Sequence, residues 1–485
     1  MLRTMQIGRN YVGGEWCEAV PVDNMQTVVN PATGEVAAAF VEATVHDVDR
    51  AMYSARRAFD TTAWAQSPKL RSDVLRVFAD NLEAQKETIS QWLVTLNGKL
   101  KREADSEIHA SISELRYYAG LARNLFGRVI EIEPDRYSHI EREPIGVAAI
   151  IVPWNAPVAL LIRSLAPALA AGCTAVIKSA HQTSPVHDLT MACLVSIDAL
   201  PKGVVNWVTG MNAEVPEYLC NHPETDVISF TGSTHVGKMI AQSTSRRLTR
   251  LSLELGGKAP SIVMDDADLD RAIAGIVGSA TVMAGQMCTA ISRVLVHRSI
   301  EDEARTRLTA ALSAVIAGPG VDANSTMGPV IDKRNQVRLL REVAEAGATC
   351  EVVLEGRVPE HHPDGSSFIT PSILAVQDLN SRYIQEELFG PIVTFETFSD
   401  VDEALHRANA TRYGLASSIW TANATVARHV ARRLKFGNVW VNAHNRLFAE
   451  VETGGYRESG RGRLHGVDAL DDFMETKHLY MDAVL

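Results

Sequence analysis

The sequence predicts an α/β protein with two parallel-sheet regions and a small additional β element. Residues 145–260 repeat a strand-then-helix pattern, which is typical of a parallel sheet covered by helices. A second strand-and-helix region follows over residues 261–455. The chain has 485 residues, which is too long for a single hydrophobic core, so two or three domains are expected.

Short strands and then helices precede the first sheet region. Residues 11–40 alternate apolar runs with turns and predict small strands with a hairpin. Over residues 47–126 the apolar side chains recur at helical spacing, with Val48, Ala51 and Met52 on one stripe. The pattern therefore changes from strands to helices near residue 47.

A long hairpin is predicted over residues 129–143, where polar and apolar residues alternate on both sides of a turn at 134–136. Such a ribbon has exposed edges that need covering, so it is expected to serve assembly rather than catalysis. The tail, residues 473–485, is predicted to be a final extended segment.

Five strands are predicted in the first sheet, and ligands of such sheets bind at the carboxyl ends of the strands. The strands are 147–151, 174–177, 204–208, 227–230 and 251–255. Candidate functional residues therefore follow each strand. They are Pro153, Trp154 and Asn155, then Lys178 and His181, then Gly210, then Gly232 and Ser233, and finally Glu254 with the glycines after it.

Composition excludes several classes of function. The net charge of -11 and pI of about 5.8 argue against a nucleic-acid partner, which would need clustered Lys and Arg. Six scattered cysteines without a C-x-x-C pair fit neither a zinc site nor a disulfide framework, so no metal is expected. The first residues lack the apolar core of a signal peptide, and the most apolar stretch, 164–177, is too short to span a bilayer. A cytoplasmic protein is expected.

Residues 232–238 follow an apolar strand and approach the pattern of a phosphate-binding P-loop. Met239 stands where a P-loop needs Ser or Thr to hold magnesium, so a dinucleotide is more plausible than hydrolysable ATP. A plain strand-to-helix turn is the alternative interpretation.

Cys288 lies in a short polar and glycine-containing turn within an apolar segment. Taken alone it is more often a packing residue than a nucleophile. Glu254, Asn155 and Lys178 at their strand ends are equally ambiguous one by one. Together they supply what acyl-thiol chemistry requires, namely a nucleophile, a base and an amide donor for an oxyanion.

Over nearly its whole length the chain resembles the aldehyde dehydrogenase superfamily, with motifs in matching order and spacing. These motifs are Pro153-Trp154-Asn155, Lys178, Phe230-Thr231-Gly232-Ser233 through Gly237, Leu253 to Lys258, Gly285-Gln286-Met287-Cys288, Met327-Gly328-Pro329 and Glu386 to Pro391.

The resemblance implies a Rossmann-like cofactor domain (1–124 and 145–254), an α/β catalytic domain (255–455) and a β oligomerisation element (125–144 and 470–485). It implies a homodimer or a homotetramer. Cys288 would attack the aldehyde carbon, Asn155 and the Cys288 backbone N–H would hold the oxyanion, and Glu254 would activate the water that hydrolyses the thioester. The implied cofactor-binding residues are Pro153, Trp154, Lys178, His181, Gly210, Phe230, Gly232, Ser233, Val236, Leu255, Glu387 and Phe389.

One departure concerns the cofactor. His181 stands where most members carry a glutamate that binds the adenosine ribose. A carboxylate there would repel a 2′-phosphate and an imidazole would not, which predicts that NADP is accepted. The alternative, that His181 replaces one hydroxyl partner and NAD is preferred, stays open.

Further departures concern the substrate pocket, predicted to include Ala156, Leu160, Arg163, Met287, Thr289 and Thr453. Ala156 and Thr453 replace aromatic residues common in the family, and the first motif is similar to the benzaldehyde, vanillin and salicylaldehyde branches. Arg163 would either bind a substrate carboxylate, as in semialdehyde dehydrogenases, or form a structural ion pair. An aromatic or polar-substituted aldehyde is expected. A CoA-acylating relative is disfavoured because that branch generally lacks the base at Glu254.

Overall fold

A computed structural model describes residues 6–17 and 25–482. The chain begins with five short strands: β1 (Ile7–Gly8), β2 (Tyr11–Val12), β3 (Glu15–Trp16), β4 (Met25–Val29) and β5 (Val36–Val41). Strands β4 and β5 form an antiparallel hairpin, and β1 pairs with β5 in parallel. The predicted N-terminal strands and hairpin are confirmed.

Four helices follow: α1 (Val45–Thr61), α2 (Pro68–Ala84), α3 (Lys86–Asn97) and α4 (Lys101–Leu121). Thr44 begins α1 with a capping box, because its side chain accepts from the Asp47 backbone N–H and the Asp47 carboxylate accepts in return. The predicted stripe of Val48, Ala51 and Met52 is fully buried.

A small antiparallel sheet joins the middle of the chain to its end. Strands β6 (Arg128–Glu133) and β7 (Arg136–Pro144) form the predicted hairpin, and the last strand of the chain pairs with β7. Apolar side chains on this sheet remain exposed, including Val129, Ile132 and Tyr480.

The first large sheet contains the five predicted strands in parallel. They are β8 (Val147–Ile151), β9 (Thr174–Ser179), β10 (Val205–Thr209), β11 (Val227–Thr231) and β12 (Arg250–Glu254), and their order is β12-β11-β8-β9-β10. Every residue of β8, β10 and β11 is buried, because helices cover both faces. The helices between these strands are α5 (Pro157–Ala171), α6 (Ser184–Val195), α7 (Glu214–Asn221) and α8 (Thr234–Thr244).

The second large sheet is built from the following seven strands, in the order β15-β16-β17-β14-β13-β18-β19. They are β13 (Ala259–Val263), β14 (Ile291–His297), β15 (Glu351–Leu354), β16 (Ser372–Ala375), β17 (Ile392–Phe398), β18 (Ala416–Trp420) and β19 (Asn438–Val441). Its helices are α9 (Leu269–Thr281), α10 (Glu301–Ser313), α11 (Lys333–Ala346), α12 (Arg382–Gln385), α13 (Val401–Asn409) and α14 (Ala424–Arg433). The predicted second strand-and-helix region is confirmed.

The end of the chain returns to the earlier sheets. Strand β20 (Gly460–Arg461) pairs with β12 at the edge of the first large sheet, and β21 (Met474–Tyr480) pairs with β7. Residues 483–485 of the predicted tail lie outside the described residues, as do 1–5 and 18–24 of the predicted cofactor domain. The division into domains stays a prediction. None of the helices within 6–17 and 25–482 has the length and apolar character needed to cross a membrane.

Candidate active site

The parallel strands of the first sheet bring the predicted residues to one edge. Asn155 follows β8, Lys178 is the second-last residue of β9, Gly232 and Ser233 follow β11, and Glu254 ends β12. Because neighbouring strands are in parallel register, their carboxyl ends meet at this edge. The side chains of Asn155 and Glu254 are both buried there, with exposures of 5% and 4%.

Cys288 lies on a loop that the second sheet supplies, between α9 and β14. The loop turns through three consecutive residues in the left-handed region: Met283 with φ +48°, Ala284 with φ +54° and Gly285 with φ +70°. A Cβ at Gly285 would lie 2.4 Å from the backbone of Gly390, so only glycine fits. This tight turn places the half-buried Cys288 at the junction of the two sheets.

A hydrogen bond joins the Asn155 side chain to the cysteine loop. The Asn155 Nδ2 donates to the Gln286 carbonyl at 3.0 Å. The Gln286 side chain fixes the loop in turn, because its Nε2 donates to the Met283 carbonyl at 2.9 Å and its Oε1 accepts from Ile331 N at 3.0 Å. The candidate oxyanion donor and the candidate nucleophile are therefore held by the same segment.

Helix α4 supports both sides of this arrangement. The Glu107 Oε1 accepts from the backbone N–H groups of Val158 and Ala159 at 2.8 and 3.2 Å, in the first turn of α5 and just after Asn155. One turn earlier, Glu103 Oε1 accepts from Met283 N at 2.9 Å, in the turn before Cys288.

The Glu107 carboxylate also forms a buried ion pair with Lys99, which lies between α3 and α4. Just before it, the Asn97 Nδ2 donates to the Trp154 carbonyl at 2.6 Å. The backbone on both sides of Asn155 is thus hydrogen bonded to side chains of α3 and α4, and Lys99 holds the second of these in place.

A cavity of about 350 Å³ opens in front of Cys288. It is within the size range of small-molecule sites. Its lining includes the catalytic candidates Asn155, Glu254 and Cys288 and all six predicted pocket residues: Ala156, Leu160, Arg163, Met287, Thr289 and Thr453.

Burial dominates the electrostatics of the cavity. It raises the pKa of the Cys288 thiol to about 12, although Arg163 acts in the opposite direction. Burial also raises the pKa of Glu254 to about 7, again partly offset by Arg163. At neutral pH Cys288 is therefore a thiol and Glu254 is close to half protonated, which suits a group that must accept a proton.

The side chain of Arg163 contacts two other residues of the cavity region. Its Nη2 donates to Thr231 Oγ1 at 3.1 Å, and its Nη1 lies 3.9 Å from Glu254 Oε2. The Nε has no hydrogen-bond partner within the described part of the chain. The guanidinium thus forms an internal ion pair and retains one unused donor.

The predicted cofactor residues lie along the strand ends and on the loop before β17. Ser233 begins α8, and its side chain accepts from Val236 N. Burial lowers the pKa of Lys178 to about 8. The Glu387 Oε1 accepts from Gly257 N at 3.1 Å. The ring of Phe389 packs edge-on against Trp154, with centroids 5.8 Å apart.

The remaining predicted cofactor residues sit around these. His181 lies in a short 3-10 helix after β9, where burial and the neighbouring Lys178 lower its pKa. Gly210 follows β10, Phe230 lies in β11, and Leu255 follows β12.

A family model described as the aldehyde dehydrogenase family matches residues 16–479. The chain belongs to this family.

Individual relatives of this aldehyde dehydrogenase cover it almost completely. An aldehyde dehydrogenase 1 of Tanacetum cinerariifolium is 37% identical over 475 residues, spanning 96% of this chain and 93% of the relative. A phenylacetaldehyde dehydrogenase of Pseudomonas fluorescens is 35% identical over 477 residues, spanning 96% and 94%. Among solved structures, a betaine aldehyde dehydrogenase of Staphylococcus aureus in complex with NAD+ has a TM-score of 0.94 and 34% identity, covering 99% of this chain and 95% of that one.

Sequence reasoning missed one wall of this aldehyde dehydrogenase's cavity. Helix α4 contributes Ala110, Ser111, Ser113 and Glu114, and the segments near the end of the chain add Leu447, Phe448, Ala449, Glu450 and His465. The α4 residues fall one turn apart, but helical periodicity alone does not tell a cavity wall from a core stripe. The loop at 447–450 has no motif that would have identified it.

Proposed function

We propose that the protein oxidises an aldehyde to a carboxylic acid with NAD(P)+ through a thioester on Cys288. The observation that carries this proposal is the shared cavity of Cys288, Asn155 and Glu254. These three side chains come from distant parts of the sequence and supply the nucleophile, oxyanion donor and base that the reaction needs.

The first half of the reaction forms and then oxidises a thiohemiacetal. The Cys288 sulfur attacks the aldehyde carbon as its thiol proton passes to Glu254, the buried carboxylate within electrostatic reach, and from Glu254 to solvent. The carbonyl oxygen becomes an alkoxide, which Asn155 Nδ2 and the Cys288 backbone N–H stabilise. A bound nicotinamide would supply the acceptor for the hydride that this carbon loses. The carbonyl then re-forms as a thioester.

The second half releases the acid. Glu254 takes a proton from water, the hydroxide attacks the thioester carbon, and the carbon–sulfur bond breaks. The proton held by Glu254 or the solvent returns to the Cys288 sulfur. Burial of Glu254 at a pKa of about 7 supports this role because the group exchanges protons at neutral pH.

Residues at the edge of the first sheet fit a dinucleotide. Gly232 and Ser233 precede the N-terminus of the 11-residue helix α8, where backbone N–H groups favour a pyrophosphate. Lys178 and Glu387 would hold the ribose hydroxyls, and Phe389 would pack beside the nicotinamide.

The choice between NAD and NADP rests on two residues. Burial and the neighbouring Lys178 lower the pKa of His181, so its imidazole is neutral at pH 7 and lacks the repulsion that a carboxylate would exert on a 2′-phosphate. Glu42, however, is close enough to act electrostatically on both His181 and Lys178. We therefore expect NADP to be accepted, with NAD also used.

The substrate is proposed to be an aromatic or polar-substituted aldehyde. Ala156 and Thr453 leave room in a cavity whose walls are mainly apolar, and one relative is named a phenylacetaldehyde dehydrogenase. The contacts of Arg163 with Thr231 and Glu254 support a positioning role rather than substrate binding. Its unused Nε supports the alternative of a semialdehyde that carries a carboxylate.

Assembly as a homodimer or homotetramer is proposed from the small antiparallel sheet. Its exposed apolar side chains, such as Val129 and Ile132, are of the kind that protein interfaces cover. A cytoplasmic location is proposed from the unpaired cysteines of the described chain.

The decisive experiment measures aldehyde-dependent formation of NADH and NADPH by the wild type and by Cys288→Ala. Benzaldehyde, a hydroxylated benzaldehyde and succinic semialdehyde would be compared. We expect Cys288→Ala to abolish turnover while cofactor binding persists, and Cys350→Ala, at a half-buried cysteine in another part of the fold, to retain it. Substantial oxidation by Cys288→Ala would refute the assignment of the nucleophile.

A further inference from the structure

Glu114 is a buried carboxylate on the wall of the cavity that faces Cys288. It lies on α4, is 4% exposed, and lines the cavity together with apolar residues such as Leu160, Met287 and Phe448. The mechanism proposed above does not use it. A carboxylate in such surroundings is costly unless its oxygens are hydrogen bonded.

Among the described residues, one oxygen of this carboxylate has a partner and the other has none. His465 Nδ1 donates to Glu114 Oε2 at 2.8 Å, whereas Oε1 is buried and has no hydrogen-bond partner within the described residues. The guanidinium of Arg163 on the same cavity contacts Thr231 and Glu254 and keeps only its Nε without a partner in the described chain. Two residues of the cavity lining, Glu114 and Glu254, therefore each have an Oε1 without a partner in the described chain, and only Glu254 has a role in the mechanism above.

The backbone around His465 is held in an unusual conformation. His465 has φ +59°, in the left-handed region that non-glycine residues seldom adopt. Tyr118, one turn after Glu114 on α4, donates from its hydroxyl to the Gly466 carbonyl at 2.8 Å. Glu452 Oε1 accepts from Val467 N at 2.9 Å and from Asp468 N at 3.2 Å. These contacts fix the imidazole against Glu114.

We propose that Glu114 is a specificity-determining residue that accepts a hydrogen bond from a donor on the substrate, with His465 as its positioning residue. The favoured class is an aldehyde that carries an O–H or an N–H group away from the reacting carbon. This inference rests on the proposed aldehyde oxidation and names its substrate more closely. A substrate donor would satisfy Oε1, whereas an otherwise similar aldehyde without a donor leaves it unpaired.

The test compares similar substrates with and without this donor. 3- and 4-hydroxybenzaldehyde are paired with the corresponding methoxybenzaldehydes, and 3-aminopropanal is paired with propanal. We expect kcat/KM to favour the donor in at least one pair by on the order of 10- to 100-fold. A preference in the phenol pairs identifies a hydroxyl as the donor, and one in the amine pair identifies an ammonium group.

The variant Glu114→Leu should reduce this ratio toward one, because it removes the acceptor. Glu114→Gln, which keeps a neutral acceptor, should give an intermediate ratio and shows that the fold survives loss of the charge. Glu303→Gln, at an exposed carboxylate on α10, should keep the wild-type ratio.

Two results would overturn the inference. One is equal kcat/KM within every pair for the wild type, and the other is an unchanged ratio in Glu114→Leu. In both cases the unsubstituted aldehydes are still oxidised. If no aldehyde yields NADH or NADPH, it is the proposed oxidation itself that fails.

Discussion

Replacing Glu254 by glutamine should change how the stability of the protein depends on pH. Burial raises the pKa of this carboxyl from 4.5 to about 7 in the folded chain. Below pH 4.5 the group is protonated in both the folded and the unfolded state. Between pH 4.5 and 7 the unfolded chain releases the proton and the folded chain keeps it, so stability falls as pH rises and the loss is complete above pH 7.

The size of the effect follows from the pKa difference of about 2.5 units. One pKa unit corresponds to about 1.36 kcal/mol, so the free energy of unfolding of the wild type falls by about 3 kcal/mol relative to that of Glu254→Gln as the pH rises. About 2 kcal/mol of this loss falls between pH 5.5 and 8. Glu387, whose pKa burial also raises to about 7, contributes equally to both proteins and cancels in the difference.

The assay measures thermal and denaturant midpoints of the two proteins at half-unit steps from pH 5.5 to 8. The advantage of Glu254→Gln should grow over this range. Glu450→Gln removes an exposed carboxylate from the same cavity and should follow the wild type. Parallel curves for the wild type and Glu254→Gln would refute the reasoning, since they would mean that burial does not perturb this carboxyl.

Three further outcomes are expected. Glu254→Gln should give a burst of reduced cofactor followed by slow steady turnover, measured by stopped flow; loss of the burst would place Glu254 before hydride transfer. Glu107→Ala should lower the rate of acylation by on the order of 10- to 100-fold and lower the melting temperature, because Lys99 loses its buried partner and the turn after Asn155 loses its acceptor. Glu107→Gln keeps the acceptor and should recover part of the rate. An equal loss of rate in both variants would mean that the negative charge of Glu107, and not its hydrogen bonds, is what acylation requires. His181→Glu should shift the kcat/KM ratio toward NAD by on the order of 10-fold, and an unchanged ratio would show that this position does not contact the ribose.

The order of strands and helices was predictable because each strand of the first sheet is a short, mostly apolar run that ends at a polar residue or is followed by one within four residues. Strands β8 and β11 begin where the sequence predicted, since sheets covered on both faces require continuous burial. Residues such as Asn155 and Glu254 could be placed at one edge for the same reason. The pairing of β20 with β12 could not be predicted, because a two-residue strand has no periodicity to detect.

The roles of the site depended on family resemblance more than on local pattern. Cys288 has no local feature that separates it from a packing cysteine, and only its motif and distant partners identify it. The pair of Glu114 and His465 joins residues 351 positions apart, and neither stands in a distinctive motif. Arg163 had two interpretations because the sequence does not show which groups its side chain reaches from α5, and the partners in the structure, Thr231 and Glu254, lie in two other elements.

Glu103 and Glu107 connect the two loops of the candidate active site to the same helix, α4. The two halves of the proposed oxyanion site, Asn155 and the Cys288 loop, follow strands or helices of different sheets, so their separation depends on what connects the two sheets. Both halves are tied to residues four apart on one helix, whose Cβ atoms are separated by only about 6 Å. The distance between the Cys288 sulfur and the Asn155 amide then depends on the conformation of a single helical turn. A distortion of α4 should therefore lower the rate of the reaction even when neither sheet has moved.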